Sequence, residues 1–274
     1  MSFGARLDAA LDARGALCVG IDPHPQLLRA WGFDEDVDGL ERFSAACVSG
    51  FAGVAAVVKP QSAFFERFGA RGVAALERTV ADCRSAGALV LLDVKRGDIG
   101  STMAAYAAAY LDPSSPLAAD AMTVSPYLGV GALEPAFIAA AAHDAGVFVL
   151  ALTSNPEGAQ VQHARTADGP SVAQTVIDAL AARNDGATPT GSVGVVVGAT
   201  VDQPVDLDRL NGPILVPGIG TQGGSVADVQ RLFGPVLRSV LPSMSREVLR
   251  AGPHAASLRA AVEQRAADFA FLRS

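Results

Sequence analysis

The chain has 274 residues, of which half are apolar and 18% are charged, and its formal net charge is −7. The negative charge excludes a broad nucleic-acid-binding surface, which needs a basic face, although it allows a local anion site. The length suits one large α/β domain, and no Pro- or Ser-rich linker divides the chain. We therefore predict a single domain over residues 1–274.

The N-terminal segment MSFGARLDAALDARG has the pattern of an amphipathic helix and matches neither a signal peptide nor a transit peptide. No apolar run approaches the ~20 residues that cross a bilayer. The three cysteines, Cys18, Cys47 and Cys83, lack metal-ligand spacing, and an odd number suits reduced thiols. We expect a soluble cytoplasmic protein that binds neither membranes nor nucleic acid.

Eight short apolar runs follow one another along the chain. They are ALCVGI (16–21), VAAVVK (54–59), ALVLLDVK (88–95), DAMTVS (120–125), GVFVLALT (146–153), SVGVVVGA (192–199), PILVPG (213–218) and PVLRSVLP (235–242). Continuous apolar runs suit parallel strands that are covered on both faces. Ala-rich stretches of helical period lie between them, at 39–53, 72–87, 131–146 and 171–184. This alternation predicts an α/β fold, a (β/α)8 TIM barrel with an extra N-terminal helix, and an open doubly wound sheet is the alternative.

Polar side chains recur where the predicted strands end, while the strand interiors stay apolar. In a barrel the carboxyl ends of the strands form the active site. The ends carry Asp22, Lys59, Asp93, Lys95, Ser125, Ser154, the glycine-rich turn 218–224 and Arg246. Two connections, 22–38 and 154–170, exceed the usual loop length, which is typical of lids and binding loops.

The third predicted strand ends in a cluster of charge, LVLLDVKRGDIGST (89–102). Of the 21 Lys and Arg residues only two are lysines, Lys59 and Lys95, and both fall at strand ends. Side chains alternate along a strand, so Asp93 and Lys95 should share the inward face, with Asp98 following on the loop. Neighbouring carboxylates keep a lysine protonated, which predicts a proton donor rather than a nucleophile. A structural ion-pair network at the rim is the alternative, although burying such pairs is costly.

The turn GIGTQGG (218–224) formally matches the dinucleotide fingerprint, but it lies in the seventh strand–helix unit rather than the first. Glycine-rich backbone after the seventh strand and a cation after the eighth form the phosphate site of many barrels. We predict a phosphate group held by Gln222, the amides of Gly223 and Gly224, and Arg246. A plain glycine turn and a surface arginine are the alternative.

The remaining polar candidates give weaker signals. The four histidines are scattered and form no H-x-x-x-H pair, so no metal site is predicted, although Asp93 and Asp98 could serve one. Asp22 is either a turn or helix-capping acid or an acceptor for a sugar hydroxyl. No G-x-S-x-G sequence supports a serine hydrolase.

The segment DVKRGDIGST resembles the orotidine 5′-phosphate decarboxylases, in which Asp-x-Lys-x-x-Asp-Ile-Gly-x-Thr follows the third strand. The resemblance covers nearly the whole chain through GIDPHP, VVKPQSAFFERFG, VSPYLG, LTSNPEGAQVQ, VPGIGTQGG and SMSRE. KPQSAFFE and the N-terminal helix are similar to the bacterial longer-chain subfamily. The match at strand eight is looser, because other members carry a glycine where this chain has Ser245.

The resemblance implies a cofactor-free homodimer that converts orotidine 5′-phosphate to uridine 5′-phosphate (UMP), the last step of de novo pyrimidine biosynthesis. Lys95 would protonate C6 of the pyrimidine as carbon dioxide leaves. Asp93 would lie against the substrate carboxylate and hold Lys95 in place, while Lys59 would bridge Asp93 and the ribose.

The same resemblance implies the residues that bind the substrate. Asp98 and Thr102 would reach into the neighbouring subunit's site, which would make the dimer obligatory for activity. The remaining contacts would be Asp22 with the ribose, Ser154 with the pyrimidine, and Gln222 and Arg246 with the phosphate. The loop 154–170 would close over the ligand.

Three other functions stay open. A magnesium-dependent sugar-phosphate decarboxylase or aldolase of the same superfamily would share Asp-x-Lys-x-x-Asp, but it would place an acid where this chain has Lys59. A Schiff-base aldolase would need Lys95 as a neutral amine, which the neighbouring aspartates oppose. A non-catalytic nucleotide-binding barrel would bind UMP without turnover.

Overall fold

The structure, a computed structural model, describes residues 1–167, 169–202, 205–220 and 223–274. Eight parallel strands close into a barrel in chain order. They are β1 Cys18–Ile21, β2 Val57–Pro60, β3 Leu89–Arg96, β4 Ala121–Val124, β5 Gly146–Leu152, β6 Val193–Val197, β7 Ile214–Val216 and β8 Val240–Met244. Cys18 of β1 pairs with Ser243 of β8, so the sheet has no free edge. The predicted barrel is confirmed, and the open sheet is wrong.

Helices surround the barrel and connect its strands. They are α1 Phe3–Arg14, α2 Pro25–Ala30, α3 Val37–Cys47, α4 Ala63–Glu66, α5 Gly69–Ser85, α6 Gly100–Leu111, α7 Glu134–Ala142, α8 Ala159–Gln162, α9 Val172–Ala181, α10 Val226–Phe233, α11 Arg246–Leu249 and α12 Ala255–Asp268. A π-helical turn, Val48–Ala52, extends α3. None of the helices in the described ranges is both long enough and apolar enough to span a bilayer.

The N-terminal helix α1 covers the amino ends of the strands. The Ser2 hydroxyl caps it by accepting a hydrogen bond from the Ala5 amide, and Phe3, Leu7 and Leu11 recur at a spacing of four on its buried face. The Phe3 ring packs edge-on against Phe148 of β5, with centroids 6.1 Å apart. The helix therefore closes one end of the barrel and leaves the other end for the site.

The eighth strand begins later than the sequence predicts. Residues Gly234–Ser239 form a 3-10 helix with Pro235 in its first turn, and β8 then runs over Val240–Met244 rather than 235–242. Proline fixes its own φ near the helical value and is tolerated in the first turn of a helix, where its missing N–H is not needed. The shift places Ser245 and Arg246, rather than Ser243, at the exit of the strand.

The third strand departs from regular alternation at its carboxyl end. Leu92 pairs with Met122 of β4, but the next pair joins Arg96 to Val124, so the register shifts between them. Within this irregular stretch Lys95 has φ of +44°, a left-handed conformation that is rare for a residue with a side chain. Asp93 is buried, whereas Lys95 is exposed. The simple alternation that predicted a shared face does not describe this stretch.

Candidate active site

A cavity of about 380 Å³ opens at the carboxyl ends of the strands. Its size is typical of small-molecule sites. Apolar side chains of the central strands, Leu150, Val196 and Leu215, line it together with charged residues. Among the predicted site residues, the cavity wall includes Asp22, Lys59, Asp93, Lys95 and Arg246.

Asp93 joins both lysines of the chain. Its Oδ2 accepts a hydrogen bond from Lys59 Nζ at 3.1 Å, and its Oδ1 accepts one from Lys95 Nζ at 2.6 Å. The Lys59 and Asp93 side chains are 7% and 8% exposed, whereas the Lys95 side chain is 44% exposed. The three residues therefore form an ammonium–carboxylate–ammonium array in which Lys95 is the member that faces the open cavity.

The array shifts the pKa of its buried members. Burial by itself would raise the pKa of Asp93, but the two lysine charges and the hydrogen bonds from Lys95 and Thr123 hold it well below its usual range. Burial would likewise lower the pKa of Lys59, but the charges on Asp93 and Asp22 outweigh it and raise the pKa of that ammonium. Asp93 and Lys59 are therefore both charged at neutral pH.

Thr123 of β4 is a site residue that sequence reasoning missed. Its side chain is buried, and its hydroxyl donates to Asp93 Oδ1 at 2.8 Å. The Thr123 hydroxyl oxygen also accepts hydrogen bonds from the Val94 and Lys95 amides, at 3.0 and 2.9 Å. The available signal was one hydroxyl residue inside the otherwise apolar stretch AMTV (121–124).

Asp22 and Arg246 lie on the same cavity wall near His24. Asp22 is buried, and its Oδ1 has no hydrogen-bond partner among the residues that the structure describes. Burial lowers the pKa of His24 and the positive charge of Arg246 lowers it further, while Asp22 opposes the shift. A buried, unpartnered carboxylate oxygen is an acceptor available to a ligand hydroxyl.

The glycine-rich turn lies beside this wall, but its amides are engaged within the turn. The Gly223 amide donates to the Gly220 carbonyl at 2.7 Å, and the Gly224 amide donates to the Gly218 carbonyl at 3.1 Å. Binding a phosphate through these two amides would require the turn to rearrange. Gln222, the third predicted phosphate ligand in this segment, lies outside the described residues.

Three other predicted residues lie away from the cavity wall. Ser154 is exposed one residue beyond Thr153, and Thr153 lines the cavity in its place. Asp98 is half-buried and accepts a hydrogen bond from the Ile99 amide at 2.7 Å, and Thr102 is exposed in the first turn of α6. Their predicted roles stay predictions.

The structure also adds lining residues that the sequence did not single out as site residues. They are His24, Gln61, Phe64, Thr123, Thr153, Ser243, Ser245 and Glu247. Within the described ranges, no group of three or more His, Cys, Asp or Glu side chains is arranged to hold a metal ion.

Fold and site together define a class of (β/α)8-barrel proteins in which lysines and a carboxylate meet at the carboxyl ends of β2 and β3. The family model described as orotidine 5′-phosphate decarboxylase / HUMPS matches residues 15–261. The chain belongs to this family.

Relatives over nearly the full chain support the assignment. The orotidine 5′-phosphate decarboxylase of Salinispora tropica is 65% identical over 268 residues, which are 97% of this chain and 96% of that protein. The one from Streptomyces coelicolor is 58% identical over 267 residues, 97% of this chain and 96% of that protein. The structure of Leishmania donovani OMP decarboxylase is 31% identical and has a TM-score of 0.76, with 100% of this chain and 99% of that chain covered.

A solved structure from Streptomyces avermitilis, a candidate orotidine 5′-phosphate decarboxylase, superposes with a TM-score of 0.97 at 58% identity. The match covers 99% of this chain and 96% of that chain. The barrel and its N-terminal extension thus have a close experimental counterpart.

Proposed function

We propose that this protein decarboxylates orotidine 5′-phosphate to UMP, the last step of de novo pyrimidine biosynthesis. The observation that carries the proposal is the Lys59–Asp93–Lys95 array on the cavity wall, with contacts of 3.1 and 2.6 Å. The activity named for relatives up to 65% identical supports the same reaction.

The reaction needs a proton source next to the carbon that loses the carboxylate. The bond between C6 of the pyrimidine and the carboxylate carbon breaks, carbon dioxide leaves, and the electron pair stays on C6. C6 then takes a proton from Lys95 Nζ, and the amine regains a proton from solvent. An ammonium fixed beforehand attracts the developing carbanion more strongly than the neutral ring carbon, so it favours the transition state over the ground state.

The other charges orient the substrate. Asp93 would lie against the substrate carboxylate, and Lys59 would bridge Asp93 and the ribose. The free Oδ1 of Asp22 suits a ribose hydroxyl, and Arg246 on the same wall suits the phosphate, to which a guanidinium can bind in bidentate geometry. For Gly223, Gly224 and Ser154 to contact the substrate, the loops that carry them would rearrange. Gln222, the further predicted phosphate ligand, lies outside the described residues.

The active form would be a cytoplasmic homodimer with shared sites. Asp98 is half-buried and Thr102 is exposed, and neither lines the cavity of its own chain, which leaves both available to a second subunit. Exposed apolar residues lie nearby, namely Ile99, Tyr127 and Leu128, at 62%, 79% and 53% exposure. A reducing compartment fits the three buried free thiols.

Orotidine 5′-phosphate turnover by the wild type and Lys95→Ala, followed as loss of the orotate absorbance, tests the proposal. The wild type should bleach the substrate rapidly, and Lys95→Ala should lose nearly all activity while its circular dichroism stays unchanged. An inactive wild type, or an active Lys95→Ala, would refute the proposal.

A second arm separates this function from the magnesium-dependent alternative. Lys59 lines the cavity at the end of β2, the position at which that alternative places an acid. Full turnover in the presence of EDTA is the expected result. Activity that disappears with EDTA and returns with magnesium would favour the alternative.

A further inference from the structure

We propose that the hydroxyl of Thr123 positions Lys95 and Asp93 for the reaction. The inference deepens the proposed function and rests on it, since it assigns Thr123 a role in the same site. Thr123 is a positioning residue, because it acts through the ammonium and the carboxylate rather than on the substrate.

The first argument is that the Thr123 hydroxyl uses all of its hydrogen-bonding capacity at this point. A hydroxyl has one donor and two acceptor lone pairs. The Thr123 hydroxyl donates to Asp93 Oδ1 at 2.8 Å. Its oxygen accepts one hydrogen bond from the Val94 amide at 3.0 Å and one from the Lys95 amide at 2.9 Å. Thr123 is 1% exposed, so water cannot easily replace these bonds.

The second argument is that the segment held by Thr123 is irregular. Lys95 has φ of +44°, and the register between β3 and β4 shifts between Leu92 and Arg96. The Val94 and Lys95 amides, which donate to Thr123, lie within the irregular segment between Leu92 and Arg96. The regular pairing of β3 with β4 is interrupted there and provides no backbone acceptor for them. Such conformations persist only where the surroundings over-determine them. The Thr123 hydroxyl therefore takes the place of a ladder acceptor and fixes the start of the Lys95 side chain.

The third argument is that the Thr123 hydroxyl contacts both partners of the Lys95–Asp93 ion pair and so fixes the position of each. It binds the Lys95 backbone and also Oδ1 of Asp93, the oxygen that accepts from Lys95 Nζ at 2.6 Å. The carboxylate is thereby fixed in rotation, which leaves its Oδ2 directed at Lys59 Nζ, 3.1 Å away. The negative charge of the carbanion develops on a single carbon, C6, so the position of the ammonium is critical. A displacement of the ammonium by as little as about 1 Å lowers the rate of the reaction.

The test compares Thr123→Val with Thr123→Ser. Valine keeps the shape and removes the hydroxyl, while serine keeps the hydroxyl and removes the methyl group. We expect kcat for Thr123→Val to fall by about 100-fold with KM changed by less than about 3-fold. Thr123→Ser should stay within about 10-fold of wild type. Equal activity of Thr123→Val and wild type, or equal impairment of the two variants, would overturn the proposal.

Thr79→Val is the matched control. Thr79 is also buried, at 3% exposure, and its hydroxyl donates to the Ala75 carbonyl inside α5, away from the cavity. The Thr79→Val variant should leave kcat and KM unchanged. A loss of rate in Thr79→Val would show that any buried Thr→Val substitution impairs the enzyme, and it would overturn the specific role of Thr123. Should Thr123→Val fail to fold, Thr123→Cys replaces it, because cysteine matches serine in shape but accepts hydrogen bonds weakly.

A second measurement does not depend on turnover. The chain has only two lysines, so ¹⁵N-lysine labelling gives two side-chain signals, which Lys95→Ala assigns. Without substrate, Thr123→Val should shift the Lys95 signal, and Thr123→Ser and Thr79→Val should leave it in place. An unmoved Lys95 signal in Thr123→Val would refute the positioning role. An inactive wild type with a shifted signal would refute the proposed reaction and leave the positioning role standing.

Discussion

At the scale of single residues, Asp93 accepts a hydrogen bond from each lysine of the chain while its side chain is 8% exposed. Removing one partner of a buried ion pair leaves an uncompensated charge and costs about 3–5 kcal/mol. We therefore expect Asp93→Asn to lower the free energy of unfolding by about 3 kcal/mol, measured by urea denaturation. Stability should fall because the Lys59 ammonium would stay buried beside a neutral amide.

Glu41→Gln is the control for this loss. It breaks the ion pair of Glu41 with Arg78, whose side chains are 44% and 56% exposed. Exposed pairs contribute at most about 1 kcal/mol, so this variant should unfold almost as the wild type does. A similar, small loss in both variants would show that Asp93 contributes no more than a surface carboxylate.

The stabilisation by Asp93 should also depend on pH. Its pKa is lowered in the folded state, because the charges of Lys59 and Lys95 and the hydrogen bonds of Lys95 and Thr123 together outweigh burial, which would raise it. A carboxyl of this kind stabilises the fold above its unfolded pKa of about 3.9, and the stabilisation is lost as pH falls below that value. The difference in unfolding free energy between wild type and Asp93→Asn should be constant from about pH 7 to 5. Below about pH 4 it should shrink by up to about 1.4 kcal/mol per pH unit. A difference that stays unchanged down to about pH 3 would contradict the lowered pKa.

The sequence allowed prediction of the charged residues of this site but not of the hydroxyl that holds them. Lys59, Asp93 and Lys95 fall at strand ends, where charge in an otherwise apolar run is conspicuous. Thr123 gives no such signal, because threonine is common in strands and its role comes from the register shift of β3. That shift depends on pairing with β4, which no periodicity within β3 reveals.

At the scale of elements, α1 closes the amino end of the barrel through its buried apolar side chains. Phe3 is 2% exposed, and a side chain on Gly146 would meet the Phe3 ring at 2.4 Å, so β5 approaches the helix closely at this point. Truncation of a buried Phe costs about 3–5 kcal/mol. Phe3→Ala should lose that much stability in urea unfolding and keep the wild-type kcat at temperatures where it is folded, because the site lies at the opposite end.

Lys95→Ala should do the reverse of Phe3→Ala, since it should lose kcat and keep its stability. The Lys95 side chain is 44% exposed, and Asp93 keeps Lys59 and Thr123 as partners, so the change in stability should be below about 1 kcal/mol. A fall in kcat for Phe3→Ala would contradict the separation of the two ends, as would strong destabilisation by Lys95→Ala.

The eight strands could be predicted because each is a short apolar run covered on both faces, and each observed strand overlaps its predicted run. The errors fall where tertiary context overrides local pattern. The run PVLRSVLP is mostly apolar, yet its residues 235–239 belong to a 3-10 helix that has Pro235 in its first turn. The loops 22–38 and 154–170 contain the short helices α2 and α8, which are too brief for their periodicity to be recognised.

At the scale of the whole molecule, the loops after β3 and β4 form one rim of the open end. The Ser125 amide donates to the carbonyl of Arg96, the last residue of β3, at 2.8 Å, so the two loops begin side by side. They carry Ile99, Tyr127 and Leu128, all large apolar side chains more than half exposed. Neighbouring exposed apolar side chains indicate an interaction surface. Because Asp98 lies beside Ile99, a second subunit on this surface would also meet Asp98.

The proposed dimer with shared sites predicts activity from two inactive variants. Lys95→Ala lacks the proton donor, and Asp98→Ala would lack the group supplied to the neighbouring site, so each homodimer should be inactive. In a dimer of one chain of each kind, one site would contain neither substitution and the other would contain both. Equal mixing by coexpression should therefore restore about one quarter of the wild-type activity, and heterodimers purified through two different tags should have about half. If each site is complete within one chain, the mixture will show no more than the average of its parents, and the shared site is then excluded.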